Sequence, residues 1–133
     1  MFKTKKIHQR SLFMHPIMSM IMIDMYWYCS SHHRPFTVTD TVSTLKEDIK
    51  ISRTHSTHRD GRAFDISVKG WSKKFRKQFC NHFNHKYEKE AAISASTLKR
   101  TLCIDHVGTA AHIHVQADRK FTVENLELPQ ELI

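Results

Sequence analysis

A disulfide scaffold is the first thing this chain lacks. Its three cysteines, Cys29, Cys80 and Cys103, are odd in number and widely spaced, and no CxxC pair occurs. That excludes a cysteine-paired framework and a cysteine-built structural metal site. Buried free thiols are the simpler expectation. Only three prolines and three glycines occur in 133 residues, and no repeat or low-complexity tract is visible. Acidic residues are also scarce: 13 Asp and Glu stand against 21 Lys and Arg, a formal charge of +8. A hydrophobic run long enough for a bilayer is missing too. The main apolar stretch, Ile17 to Cys29, is opened by Pro16 and interrupted by Asp24. Lys3, Lys5, Lys6 and Arg10 precede it, as basic residues precede a signal peptide's apolar segment. No small-x-small cleavage site follows, so a buried helix is expected and a secretory signal is not.

What is present suits one compact domain. The length leaves little room for a second, and 40% hydrophobic residues can build a core. The positive charge favours a polyanionic partner, either nucleic acid or an acidic cell-wall polymer. No nucleic-acid motif is legible, which makes nucleic acid the weaker of the two. Eleven histidines are several-fold more than a chain of this size ordinarily carries. Such an excess points to metal or proton chemistry.

The pattern of the chain predicts an α+β domain with an antiparallel sheet and flanking helices. Residues 1–15 read as a basic, partly ordered lead-in. Pro16 opens a core helix to about Ser30, with Ile17, Met20, Ile21 and Met25 inward and Ile23, Trp27 and Tyr28 widening that face. Phe36–Val42 alternates as a strand. Ser43–His58 is a polar loop with a short helix at Leu45–Ile49. Arg62–Val68 is a second strand, with Phe64, Ile66 and Val68 on one face and Asp65 on the other. Ser72 caps a helix reaching about Glu90, with Phe75, Phe79, Phe83 and Tyr87 at helical spacing. Ile93–Ile104 holds a further strand, His112–Gln116 another after a turn at Gly108, and Lys120–Leu126 a last one. Trp71 reads as a core anchor. Lys73, Lys74, Arg76 and Lys77 read as a solvated helix face, along with His82 and His85.

Two segments carry chemistry. Ser56-Thr57-His58-Arg59-Asp60-Gly61-Arg62-Ala63-Phe64-Asp65 fits SxHxxGxAxD at all five fixed positions. The chance of that is about 10⁻⁴ per chain at ordinary residue frequencies. His58 offers an imidazole nitrogen and Asp65 a carboxylate oxygen, both good zinc ligands. Gly61 allows a tight turn between them, and Ser56 orders the loop by hydrogen bonding. The second segment is Gly108-Thr109-Ala110-Ala111-His112-Ile113-His114-Val115-Gln116. On a strand, His112 and His114 share one face while Ile113 and Val115 are buried on the other.

These residues resemble the zinc fold shared by D-Ala-D-Ala carboxypeptidases, phage endolysins and Hedgehog-like domains, in its HxH branch. The resemblance spans residues 36–116. It implies a zinc ion held by His58, Asp65 and His114, with a fourth position open to water. It implies hydrolysis of an amide in peptidoglycan stem peptides or cross-links. The small size, the strong positive charge and the lack of a clear signal fit a monomeric phage-type product made in the host bacterial cytoplasm and acting in the wall or periplasm. Two departures stand out. Ala111 occupies the position where many relatives carry a catalytic glutamate, which leaves His112 as general base, ahead of Asp105 and His106. Val42-Ser43-Thr44 stands where relatives place an arginine, which leaves Arg53 as its substitute, with Arg59 and Arg62 behind it. Loss of the glutamate also raises a second expectation, a zinc-binding module without activity.

Overall fold

The computed structural model describes residues 1–107 and 111–133. The turn expected at Gly108, with Thr109 and Ala110, lies outside the described residues. Among the described residues, four α-helices and four strands follow one another: α1 (Lys5–Ser11), α2 (Pro16–Ser31), β1 (Val38–Asp40), α3 (Leu45–Lys50), β2 (Ala63–Ser67), α4 (Lys73–Lys86), β3 (Cys103–His106) and β4 (His112–Gln116). The strands form one antiparallel sheet in the order β1-β2-β4-β3. The chain is therefore a small α+β domain.

Alternation along the two central strands separates core from site. Phe64 and Ile66 of β2, with Ile113 and Val115 of β4, are fully buried. They join Met18, Ile21 and Met25 of α2 and Phe75, Phe79 and Phe83 of α4 in one core cluster. Each such large side chain contributes on the order of 1.5–3 kcal/mol by leaving water. The intervening residues Asp65, His112 and His114 face the other way. In the β2–β4 register Asp65 pairs directly with His114, so the strand pairing itself brings two candidate ligands side by side.

Local chemistry explains the helix boundaries. Pro16 opens α2 with the fixed φ that a first turn accepts. The Ser72 hydroxyl accepts from the Phe75 amide and starts α4. Thr44 and Glu47 form a reciprocal capping box on α3, which is the short helix expected in the polar loop. Trp71 is buried and donates from Nε1 to the Pro35 carbonyl at 2.7 Å, as a core anchor should. All three cysteines are buried free thiols. Among the described residues, no helix is long and apolar enough to cross a membrane.

Several expectations are corrected. The basic lead-in is ordered: Thr4 caps α1, and Val38 forms a parallel bridge with Phe2. This terminal segment covers the outer edge of β1, an edge that would otherwise expose unpaired backbone groups. The buried stripe of α2 is Met18, Ile21, Met22, Met25 and Cys29, whereas Met20, Ile23 and Trp27 are exposed. The strand expected over Phe36–Val42 shortens to Val38–Asp40. The strand expected over Ile93–Ile104 begins only at Cys103, after a loop tied by an isolated Ile93–Arg100 bridge. The segment Lys120–Leu126 is no strand. A 3₁₀ turn covers Arg119–Phe121, and the chain then packs across the turn at Gly61, with the Val123 amide donating to the Asp60 carbonyl at 2.8 Å. The helix expected to reach Glu90 ends at Lys86, and a separate 3₁₀ turn spans Glu88–Glu90.

Candidate metal centre

The tight turn between α3 and β2 delivers His58. The Asp60 amide donates to the Ser56 carbonyl at 2.8 Å and the Gly61 amide to the His58 carbonyl at 3.1 Å. The Ser56 hydroxyl donates to Asp60 at 2.9 Å, and Arg62 Nε donates to the same carboxylate at 3.1 Å. Gly61 sits at φ +69°, and a Cβ there would fall 2.9 Å from Val123 Cγ2 and 3.3 Å from the Phe13 carbonyl oxygen. Both the conformation and the lack of space require glycine. Ser56, Gly61 and Arg62 are thus the frame that folds His58 back over β2.

His58, Asp65 and His114 converge. Asp65 Oδ1 lies 3.2 Å from His58 Nε2 and 2.9 Å from His114 Nδ1. One ligand atom from each residue lies within 4.8 Å of the other two, so the cluster could hold a metal ion. Two imidazoles and one carboxylate are a donor set suited to a borderline divalent ion. The far ring nitrogens are also held. His58 Nδ1 is 2.6 Å from the Thr41 carbonyl oxygen, which can only accept, so this nitrogen carries the proton and Nε2 is turned toward the site. Thr57 Oγ1 lies 3.4 Å from His114 Nε2. Metal sites commonly orient their histidines by such outer contacts.

Burial opposes a charge on His58, but the Asp65 carboxylate beside it outweighs this and raises its pKa. For His114, burial prevails over Asp65 and lowers the pKa. Burial also works against ionised Asp65, yet the two histidines hold its pKa far below the ordinary carboxylate range. Asp65 is therefore ionised and lies between one histidine that favours its proton and one that does not.

The cluster forms part of a cleft of about 760 Å³. His112 lines it, with Nε2 3.9 Å from Asp65 Oδ2, on the solvent side of the cluster. His106 of β3 lies directly across the ladder from His112, with ring centroids 4.9 Å apart. Burial, and then the neighbouring His112, lower its pKa. Asp105, by contrast, is taken by Arg76 of α4, whose Nε donates to it at 3.1 Å. Arg53 reaches the site from the loop after α3. It donates to Asp48 at 2.9 Å and to Asp40 at 2.8 Å, and its Nη2 lies 3.8 Å from Asp65 Oδ2. Asp48 is almost fully buried and also accepts from Arg59 Nε at 2.7 Å, so Arg59 braces the loop.

The structure brings His58, Asp65 and His114 together with His112 and Arg53 along one cleft, whereas Asp105 is held by Arg76 and Arg59 by Asp48; four unforeseen residues support the site: Asp40, Thr41, Asp48 and Thr57. The contribution of Thr41 is a backbone carbonyl, which leaves no mark in a sequence. Asp40 is aimed by an irregularity in β1, where the register shifts between Val38 and Asp40. Only Asp48 had a visible signal, as an acidic residue in a capped polar loop. No protein-family model, curated protein or solved structure matches this chain.

Proposed function

We propose that this chain is a zinc peptidase that hydrolyses an amide bond in peptidoglycan stem peptides or cross-links. The convergence of His58, Asp65 and His114 at the floor of an open cleft is the observation that carries this reading. Zinc bound there would supply a Lewis acid that activates water and polarises the scissile carbonyl. The remaining chemistry falls to the chain. His112, on the cleft side of the cluster, takes the proton from the attacking water and passes it to the leaving amine. The Arg53 guanidinium, fixed by Asp40 and Asp48, faces the negative charge that grows on the carbonyl oxygen. His106 lies across the ladder from His112, with its ring centroid 4.9 Å away.

Digestion of purified sacculi by the zinc-loaded chain, with products separated by mass, tests the proposal. New amino termini or released stem fragments, abolished by a chelator and restored by zinc, are the expected result. Intact sacculi and cross-linked fragments after prolonged incubation would favour the alternative that Ala111 suggests, a zinc-binding module without catalysis.

The pKa of His58 gives a second check. Zinc must displace the proton that His58 favours, so the proton competes with the metal. Zinc affinity should be highest above the raised pKa of His58 and fall as pH drops through it, by about tenfold per pH unit for one displaced proton. His114, with its lowered pKa, and Asp65, which stays ionised, add little competition over that span. Calorimetric zinc titrations between about pH 8 and pH 6 measure this against the ordinary histidine value of about 6.5. A pH-independent affinity would contradict the assignment of His58 as a ligand.

A further inference from the structure

The cleft is unequally charged. Asp65 is the sole carboxylate among its described lining residues, against Arg53, Arg62 and Arg119. Two of the arginines are already engaged. Arg53 binds Asp40 and Asp48, and Arg62 donates to Asp60 and, at 2.8 Å, to the Ala117 carbonyl. Arg119 differs. It is exposed, and no hydrogen bond or ion pair holds its guanidinium among the described residues.

Its backbone, however, is firmly mounted. The Ala117 amide donates to the Arg62 carbonyl and the Asp118 amide to the Glu90 carbonyl, each at 2.8 Å. Asp118 caps the 3₁₀ turn by accepting from the Lys120 amide, and its other oxygen takes Arg100 at 2.9 Å, so the adjacent carboxylate is occupied by another cation. A fixed turn thus presents an uncompensated guanidinium to the cleft, five residues beyond His114. Those five residues span at most about 16 Å even when fully extended. An extended peptide lying in the cleft would meet this group within about five residues of the metal cluster, at ~3.3 Å per residue.

We propose that Arg119 is the specificity residue of the cleft and binds a carboxylate of the substrate within about five residues of the bond that is cut. The inference rests on the peptidase reading for the cleavage step, but not for anion binding. A planar guanidinium suits a carboxylate because two N–H groups can meet both oxygens. The carboxylate has two possible sources, the free C-terminus of a stem peptide or the side chain of an acidic residue within it.

Three N-acetylated synthetic peptides separate these sources: Ala-γ-D-Glu-Lys-D-Ala-D-Ala, its C-terminal amide, and its analogue with the glutamate α-carboxyl amidated. KM, kcat and calorimetric Kd are measured for the zinc-loaded wild-type chain, Arg119→Ala and Arg119→Lys. One neutralised peptide should bind the wild type at least about tenfold more weakly, with kcat within about twofold. Which peptide loses affinity identifies the source. Arg119→Ala should erase the difference, and Arg119→Lys should restore part of it. Cleavage of all three peptides with equal KM, or an unchanged preference in Arg119→Ala, would overturn the inference and leave the peptidase reading intact. Carboxylate-dependent and Arg119-dependent binding without cleavage would uphold the anion site and refute the hydrolysis. No binding to any of the three would overturn both.

Discussion

Zinc in excess is expected to raise the melting temperature of the wild-type chain by about 10–20 °C, and that of His58→Ala by no more than about 2 °C. A ligand that binds only the folded state stabilises it by RT ln(1 + [L]/Kd), or about 4 kcal/mol at a thousandfold excess over Kd. For a domain of this size each kcal/mol moves the midpoint by roughly 3–5 °C. The site is well placed for this coupling. His58 comes from the turn at Gly61, while Asp65 and His114 come from β2 and β4, so one ion would link the loop to the two central strands. His58→Ala should also shift the metal-free midpoint, because it leaves the Thr41 carbonyl without its donor and Asp65 without a neighbour that holds its charge. Thermal scans of both proteins, with chelator and with zinc, separate the two effects. A zinc-induced shift of equal size in the variant would mean the metal binds elsewhere.

His112→Ala should lower kcat on a cleaved stem peptide by about 10²- to 10⁴-fold while zinc content stays unchanged. The geometry predicts this division. His114 Nδ1 approaches Asp65 at 2.9 Å, whereas His112 Nε2 stops at 3.9 Å from the other carboxylate oxygen. Two histidines two residues apart on a strand could in principle exchange roles, and the distances favour His114 as the ligand. Loss of zinc in His112→Ala would reverse the assignment. Full activity in His112→Ala would shift the proton-transfer role to His106, which lies across the ladder in the same cleft.

The site was more legible in the sequence than the packing around it. SxHxxGxAxD encodes a local turn, and Gly61 and Ser56 act within ten residues of His58, where spacing still determines geometry. The HxH pair was legible because strand alternation needs only a period of two. Arg53 lines the same cleft, but its partners Asp40 and Asp48 come from a strand irregularity and a loop helix that no short pattern relates. The errors have equally local causes. Nearly every position of α2 is apolar, so helical periodicity could not choose between the stripe of Met18, Met22 and Cys29 and that of Met20, Ile23 and Trp27. Phe121, Val123 and Leu126 have a strand-like pattern, but no strand forms there among the described residues; Val123 and Leu126 cover the turn at Gly61, and Phe121 packs on His15. In the first fifteen residues the basic side chains carry no helical periodicity, yet the Thr4 hydroxyl accepts from the Ile7 amide and caps a real helix.

Elemental mass spectrometry of the chain, purified without chelator, reads zinc at His58, Asp65 and His114 without relying on activity, alongside His58→Ala, Asp65→Ala and His112→Ala. About one zinc per chain is expected in the wild type and in His112→Ala, and less than about a tenth of that in the two ligand variants. A folded wild-type chain that holds no zinc, and takes up none when zinc is supplied, would contradict it.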